Sequence, residues 1–433
     1  MRGLRLSRSR GFPKVAIDPL GANDKAAVAL ADVTAIRNAL GALKTRPVPP
    51  WLGPTNPYQD GSLPPLQIAV AGQDLVEIIA VRGPLHAIDG WSYVARALNA
   101  LISGDPHGAR HLAYYGELRG ALSILASSGI GIFNKRNAVV DVTGVVHSLT
   151  ERATHNMCWA TISQWALSAA SLDQMVSSLH LGGTSLLDPF REFFPSGASV
   201  AASHLMTEWG FDLAQGGEDR DERNWSSYQP TALADIITTP ADDTAFLTMF
   251  WESLRPGGIA LERHLLRILL EVEARVHNEQ LTAYRDPYDR LDDGLKTLIP
   301  FEFLTRVTDA LDHDFLIHAS RRTLPAHPYS MICRAALLLR LATGMAERNL
   351  VGAGIQPAVQ FETWWREFGV NHGLWAPEAA PATSFQLWDD VDLALEDVAG
   401  APTTHRHRWV SALAGSAMRV CETERAALWG LFQ

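Results

Sequence analysis

Ser330-Met331-Ile332-Cys333-Arg334-Ala335-Ala336-Leu337-Leu338-Leu339-Arg340-Leu341-Ala342-Thr343-Gly344-Met345 is apolar on nearly every side of a helical wheel. A surface helix shows one apolar stripe, whereas a helix without a polar face is enclosed by others. The stretch therefore predicts a central helix with further helices wrapped round it, and it sets the fold class as mainly α, a multi-helix bundle. Its neighbours supply the wrapping. Leu261, Leu265, Ile268, Leu269, Val272 and Val276 make one stripe along 259–281, and 300–316 and 408–432 read as further helices. In the first half, 90–102 and 111–127 each carry one apolar face, and 156–170 and 172–179 are helical in pattern.

Strands are expected only before residue 150. Ile68, Val70, Leu75, Val76, Ile78 and Val81 surround Gly72-Gln73 and read as a β-hairpin, and 130–133, 138–142 and 145–147 read as short strands. The result is a small β-hairpin element in the first half. A Pro/Gly-rich segment with one helix at 24–43 makes 1–63 an N-terminal arm. A connecting loop from Gly182-Gly183 to Pro195 then divides a helical domain with the small β-element, 64–195, from a C-terminal helical domain, 196–433.

The 433-residue chain is 47% hydrophobic and 19% charged, which is ordinary globular composition. A formal net charge of −10 excludes a protein that coats nucleic acid by bulk attraction and leaves room for a local basic patch. Only 5 of the 37 basic residues are lysines, which with the alanine-rich helices reads as a GC-rich coding sequence. Cys158, Cys333 and Cys421 lie far apart, without the spacing of a disulfide framework or a cysteine zinc site, as in a reducing cytoplasm. The basic start (Arg2, Arg5, Arg8, Arg10) is not followed by an apolar run, so no secretory signal is expected. No stretch reaches the roughly 18 apolar residues of a membrane span. The expectation is a soluble cytoplasmic protein.

The most site-like stretch runs from Trp209-Gly210-Phe211-Asp212-Leu213 to Arg223-Asn224-Trp225-Ser226-Ser227-Tyr228-Gln229-Pro230. Its middle, Glu218 to Glu222, reads as a charged loop, and its end as a hydroxyl-rich turn. A guanidinium fork suits phosphate better than an ammonium does, so Arg223, Asn224 and Tyr228 form the candidate anion site. Arg96, Arg119 and Arg334 interrupt apolar helices, and of these Arg119 and Arg334 are the other candidates to converge on it. The competing reading pairs each with a carboxylate such as Glu117 or Asp89, because an unpaired buried guanidinium is costly. For Arg223 the competing partners are Asp212 and Glu222. His111, Tyr114 and Glu117 share a helical face and His405 alternates with His407, but neither set has metal-ligand spacing. A Gly-rich phosphate loop, a Gly-x-Ser-x-Gly elbow and a His-Glu-x-x-His pattern are all absent, and neither metal nor cofactor is expected.

Arg223-Asn224 followed by Tyr228 resembles the motif of the HEPN superfamily of prokaryotic RNases and their inactive relatives, in which Arg and a polar residue precede a His by a few positions. Tyr228 stands in the place of that His, and a phenol does not titrate near neutrality as an imidazole does. Other arginines keep the His: Arg306 with His313, Arg321 or Arg322 with His327, and Arg366 with His372. Arg306 and His313 are the best placed on a helix and are the candidate catalytic pair, with Val307 at the polar second position. Tyr114-Tyr115-Gly116-Glu117-Leu118-Arg119, the small β-element and the stretch ending at Tyr228 are together similar to uncharacterised bacterial proteins of the YaaC-like kind. The YaaC-like likeness supplies no mechanism; the HEPN resemblance implies an RNA-directed protein of a prokaryotic stress or phage-defence system, with RNA or a nucleotide as ligand and room for a homodimer. The alternative class is a non-catalytic scaffold or regulatory subunit that docks a protein partner through a tryptophan-rich surface (Trp364, Trp365, Trp375, Trp388).

Overall fold

The computed structural model describes residues 17–46, 50–53, 56, 58, 72–213, 215–228, 237–306, 313–323, 325–383, 386–413 and 415–431. The expectations for the basic N-terminal tip, Ile68, Val70, Gln229-Pro230 and 307–312 lie outside the described residues. In chain order the helices of the first part are α1 (Ala22–Val28), α2 (Val33–Leu43), α3 (Gly72–Ile102) and α4 (Pro106–Ser127). Strands β1 (Ile130–Phe133), β2 (Arg136–Val140) and β3 (Val146–Leu149) follow, then α5 (Thr154–Trp165), α6 (Ala169–Val176), β4 (His180–Leu181), β5 (Thr184–Ser185), α7 (Leu187–Phe193), α8 (Ala202–Glu208) and α9 (Gln215–Tyr228). The second part is α10 (Pro240–Leu254), α11 (Ala260–His277), α12 (Arg285–Asp289), α13 (Asp293–Leu298), α14 (Phe301–Thr305), α15 (Asp314–Ser320) and α16 (Pro328–Gly352). It closes with α17 (Pro357–Gln360), α18 (Glu362–Asn371), α19 (Gln386–Gly400), α20 (Arg406–Leu413), α21 (Gly415–Arg419) and α22 (Glu424–Leu431). Of the described residues 69% are helical, and the fold is mainly α with small β-elements.

The enclosed helix is α16. His327 caps it by accepting the Tyr329 N–H at Nδ1 (3.3 Å), and Pro328 occupies the first position, where a missing N–H costs nothing. From Ser330 to Thr343 every residue except Arg340 is buried, because α3 and α4 pack along its length and α2, α15 and α22 complete the sleeve. Glycines allow the close approach: a Cβ on Gly120 would stand 3.0 Å from Leu338 Cβ, and one on Gly90 would overlap the Leu339 side chain. The core that results is continuous from α2 to α22. Thus α16, from the 196–433 segment, packs against α3 and α4 of the 64–195 segment.

β1, β2 and β3 form one antiparallel sheet in sequence order, with Ile130 opposite Val139 and Val139 opposite His147. The expected hairpin around Gly72-Gln73 is not formed by its described residues. Gly72 to Val81 are instead the first turns of α3, whose Leu75, Val76, Ile79 and Ala80 bury one helical face, so tertiary packing overrides β-branched propensity. Strands also occur after residue 150, since β4 pairs with β5 across Gly182 (φ +56°) and Gly183 (φ +87°), the two positive angles of a type I′ turn. The segment read as a loop up to Pro195 continues into α7. Helix 24–43 is broken at Ala29–Asp32, where Asp32 caps α2 through the Thr34 N–H (2.7 Å). The run 408–432 is divided among α20, α21 and α22. Among the described residues no single helix is long and apolar enough to cross a membrane; α1 and α2 reach that length only together, bent by 55°.

Candidate functional site

The charged loop expected at 218–222 is the body of α9. Wound as a helix, it turns Asp219 and Ser226 inward against α4 and α16 and leaves Glu218 and Ser227 outside. Arg223, one turn beyond Asp219, lies over the rings of Tyr114 (5.5 Å) and Tyr115 (5.6 Å) on α4. Its Nε is buried and unpartnered, and Arg223 forms no ion pair among the described residues. The acids expected beside it are engaged elsewhere. Asp212 pairs with Arg322 (2.8 Å), and Glu222 accepts the Ala326 N–H (3.4 Å). Tyr115 stacks on Tyr93 of α3 (5.2 Å, 21°), and Arg96 caps the outer ring at 4.0 Å. A half-buried aromatic pair with guanidinium groups at both ends therefore faces solvent.

Two histidines flank it, and hydrogen-bond direction fixes their tautomers. Trp159 Nε1–H donates to Tyr114 Oη (3.4 Å), and the only acceptor among the described residues for that buried hydroxyl's own proton is His155 Nδ1 (2.7 Å), which puts the His155 proton on Nε2. Burial and then Arg223, Arg220 and Arg119 hold His155 neutral, its pKa pulled down to about 4. Ser227 Oγ–H donates to the Arg223 carbonyl (2.9 Å), so His111 Nδ1–H donates to Ser227 Oγ (2.8 Å) and its Nε2 is an acceptor. Burial and Arg223 lower the His111 pKa as well. The face thus offers a cation, an imidazole N–H and stacking rings. Arg220 is tied to Asn156 and Asp221 and is compensated.

Beneath it lies a sealed network. Arg334 donates from Nη2 to both Asp219 oxygens (2.8 Å each) and from Nε to Oδ2 (3.1 Å), while Glu117 Oε1 stands 3.4 Å from Nε. The three side chains are 2%, 5% and 0% exposed, which excludes a ligand. Asp219, held bidentately, is the ionised carboxylate. Burial and then the charge on Asp219 push Glu117 well above the usual carboxylate range.

The other candidates separate. Arg119 pairs with Asp89 (2.6 Å) and touches His86 (3.3 Å), so the Asp89 pairing weighed from sequence is the one formed. Asn224 is half-buried and makes no side-chain hydrogen bond among the described residues. Tyr228 is 78% exposed and has no ring contact or hydrogen bond there. Arg306 and His313 do not pair with each other. Arg306 ends α14 and reaches His264 of α11 through Nη2 (3.2 Å), while His313 caps α15 by accepting the Phe315 N–H at Nδ1 (3.2 Å). The His264 and His313 rings stand 5.4 Å apart, and burial with the surrounding arginines pulls the His264 pKa down to about 3. His155, Tyr93 and His264 were not singled out in the sequence; only the Tyr114-Tyr115 doublet signalled the aromatic face. Among the described residues no group of three or more His, Cys, Asp or Glu side chains is gathered as a metal site. No family model matches the chain, and neither a curated protein nor a solved structure is significantly similar to it.

Proposed function

We propose that this is an RNA-directed, HEPN-like protein of a prokaryotic stress or defence system, which holds single-stranded RNA on the face formed by α3, α4 and α9. In this reading Arg223 takes a phosphate and Tyr115, backed by Tyr93, takes a base. The observation that carries it is an arginine without a carboxylate, laid on two tyrosines of a stacked aromatic face. Base stacking on such rings contributes about 1–3 kcal/mol per base and needs bases free of a duplex. The acids of α9 do not oppose an anion as their number suggests, since Asp219 and Asp221 are ion-paired and Glu222 is hydrogen-bonded. His155 Nε2–H adds a donor. With both histidines neutral the face lacks a general acid at neutral pH, so the reading is one of binding, and Arg306 with His313 is not assigned catalysis. The scaffold alternative loses its surface, because Trp365 (5%), Trp375 (9%) and Trp388 (6%) are buried.

Fluorescence anisotropy with a single-stranded RNA oligonucleotide tests the proposal. Arg223→Ala should weaken binding about 10-fold and lower the salt slope by about 1, and Tyr115→Ala should weaken it by roughly 5- to 100-fold. Unchanged binding with a lowered melting temperature in both variants would reject the site.

A further inference from the structure

α19 has two faces of opposite kind. Leu387, Trp388, Val391, Leu395 and Val398 are buried and fix it on the body of the molecule. On the other side Asp390, Leu393, Ala394 and Asp397, at positions i, i+3, i+4 and i+7, line a groove of about 600 Å³ whose opposite wall comes from the end of α20 and from α21. The buried Ala394 and Leu413 lie at its floor, and Leu393 stands 64% exposed at its edge. Met418, on the α21 wall, is 67% exposed. None of the described residues fills the groove: a Cβ added at Gly400 or at Gly415, both of which line it, would meet no atom within 4 Å. From Asp390 to Gly400 it runs about 15 Å, close to three turns of helix.

The charge along this groove is one-sided. Gln386–Gly400 holds five acids and no base. Asp390 is compensated by Arg419 (3.3 Å) and Arg425 (3.2 Å), and Asp397 accepts from Ser416 Oγ (2.6 Å). Asp389, Asp392 and Glu396 are exposed, and among the described residues none of the three has an ion pair or a side-chain hydrogen bond. They repeat at i, i+3 and i+7, so an uncompensated negative stripe borders the groove on the Leu393 side. Acids three and four positions apart on one helix repel one another, so the stripe does not serve the stability of α19 itself.

We propose that this groove docks an amphipathic helix of a partner protein, whose apolar side chains cover Leu393, Ala394 and Leu413 and whose arginines or lysines meet Asp389, Asp392 and Glu396. A helix matches the spacing and the length of the groove, and an extended peptide finds no unpaired strand edge there to add to. The stripe repels nucleic acid, and a formal net charge of −10 disfavours a second copy of this chain as the occupant. This surface is separate from the face of α3, α4 and α9 and does not depend on the RNA reading.

Fluorescence anisotropy of the full chain with a labelled synthetic peptide of about 14 residues, leucines at i, i+3, i+4 and i+7 and arginines between them, tests the proposal. Two controls have the same length: one keeps the composition and scatters the leucines off a single face, and the other carries glutamate in place of arginine. At about 0.15 M salt the basic amphipathic peptide should bind wild-type protein at least about 10-fold more tightly than either control. Leu393→Gln, checked for folding by circular dichroism, removes an apolar contact without adding charge and should weaken binding about 10-fold. Asp392→Lys combined with Glu396→Lys should weaken it at least about 10-fold and flatten its salt dependence. Equal binding of the basic peptide and the scattered control, or equal binding by wild type and Leu393→Gln, would overturn the proposal. So would sedimentation that shows a wild-type dimer dissociated by Leu393→Gln, which would assign the groove to a second copy.

Discussion

Asp219 and Arg223 lie one turn apart on the same polar helix, and they occupy opposite kinds of environment. Asp219 is 5% exposed and gripped by a guanidinium from α16, with a second carboxyl group beside it. Arg223 lies on aromatic rings at the edge of solvent with no carboxylate. The buried member fixes where α9 sits on α4 and α16; the outer member is left with unused hydrogen-bonding capacity. A charged side chain is thus structural or available according to how many partners meet it, and residue type alone does not separate the two.

The largest effect that would sharpen this contrast is expected at the sealed end. Arg334→Leu strands the Asp219 charge in the core and should cost about 3–5 kcal/mol in urea denaturation. A midpoint unchanged from wild type would show that water reaches the network and would remove the distinction. A smaller effect is expected from pH. The folded-state pKa of Glu117 is raised above its ordinary value of 4.5, so the folded chain binds more protons than the unfolded one above that pH. Its contribution is fully present below about pH 4.5 and is lost as pH rises toward the folded value. Glu117→Gln should abolish that decline, as read from melting temperatures across a pH series. His155 acts in the opposite sense, because its lowered pKa makes stability fall as pH drops from 6.5 toward about 4.

At the open end, Arg223→Ala should change stability by only about 1 kcal/mol, the scale of a partly exposed cation–π contact, while removing most of the proposed RNA affinity. A loss as large as that of Arg334→Leu would move Arg223 to the structural side. The smallest effect belongs to Tyr228. With its ring 78% exposed, Tyr228→Phe should leave the unfolding midpoint within about 0.5 kcal/mol of wild type. A larger loss would reveal a partner for the hydroxyl.

How much the chain discloses depends on how local the cause is. The helix at 330–345 is legible because enclosure leaves an all-round apolar pattern, and the strands near 130–149 because their punctuation is local. The hairpin expected at 66–81 fails where Leu75 to Val81 bury a helical face against neighbours their own sequence does not specify. The charged run 218–222 lacks apolar periodicity, and what docks it on the core is an arginine 115 residues away from Asp219. For the same reason Arg306 meets His264 rather than His313, 42 residues distant and on another helix.

The sequence by itself determined the helical class, the central helix and the doublet Tyr114-Tyr115, all of which rest on spacings within a few turns of chain. The tertiary structure decided which arginine is sealed and which is left open. Those outcomes depend on desolvation and on partners brought from distant segments, and neither has a signature in the local order of residues.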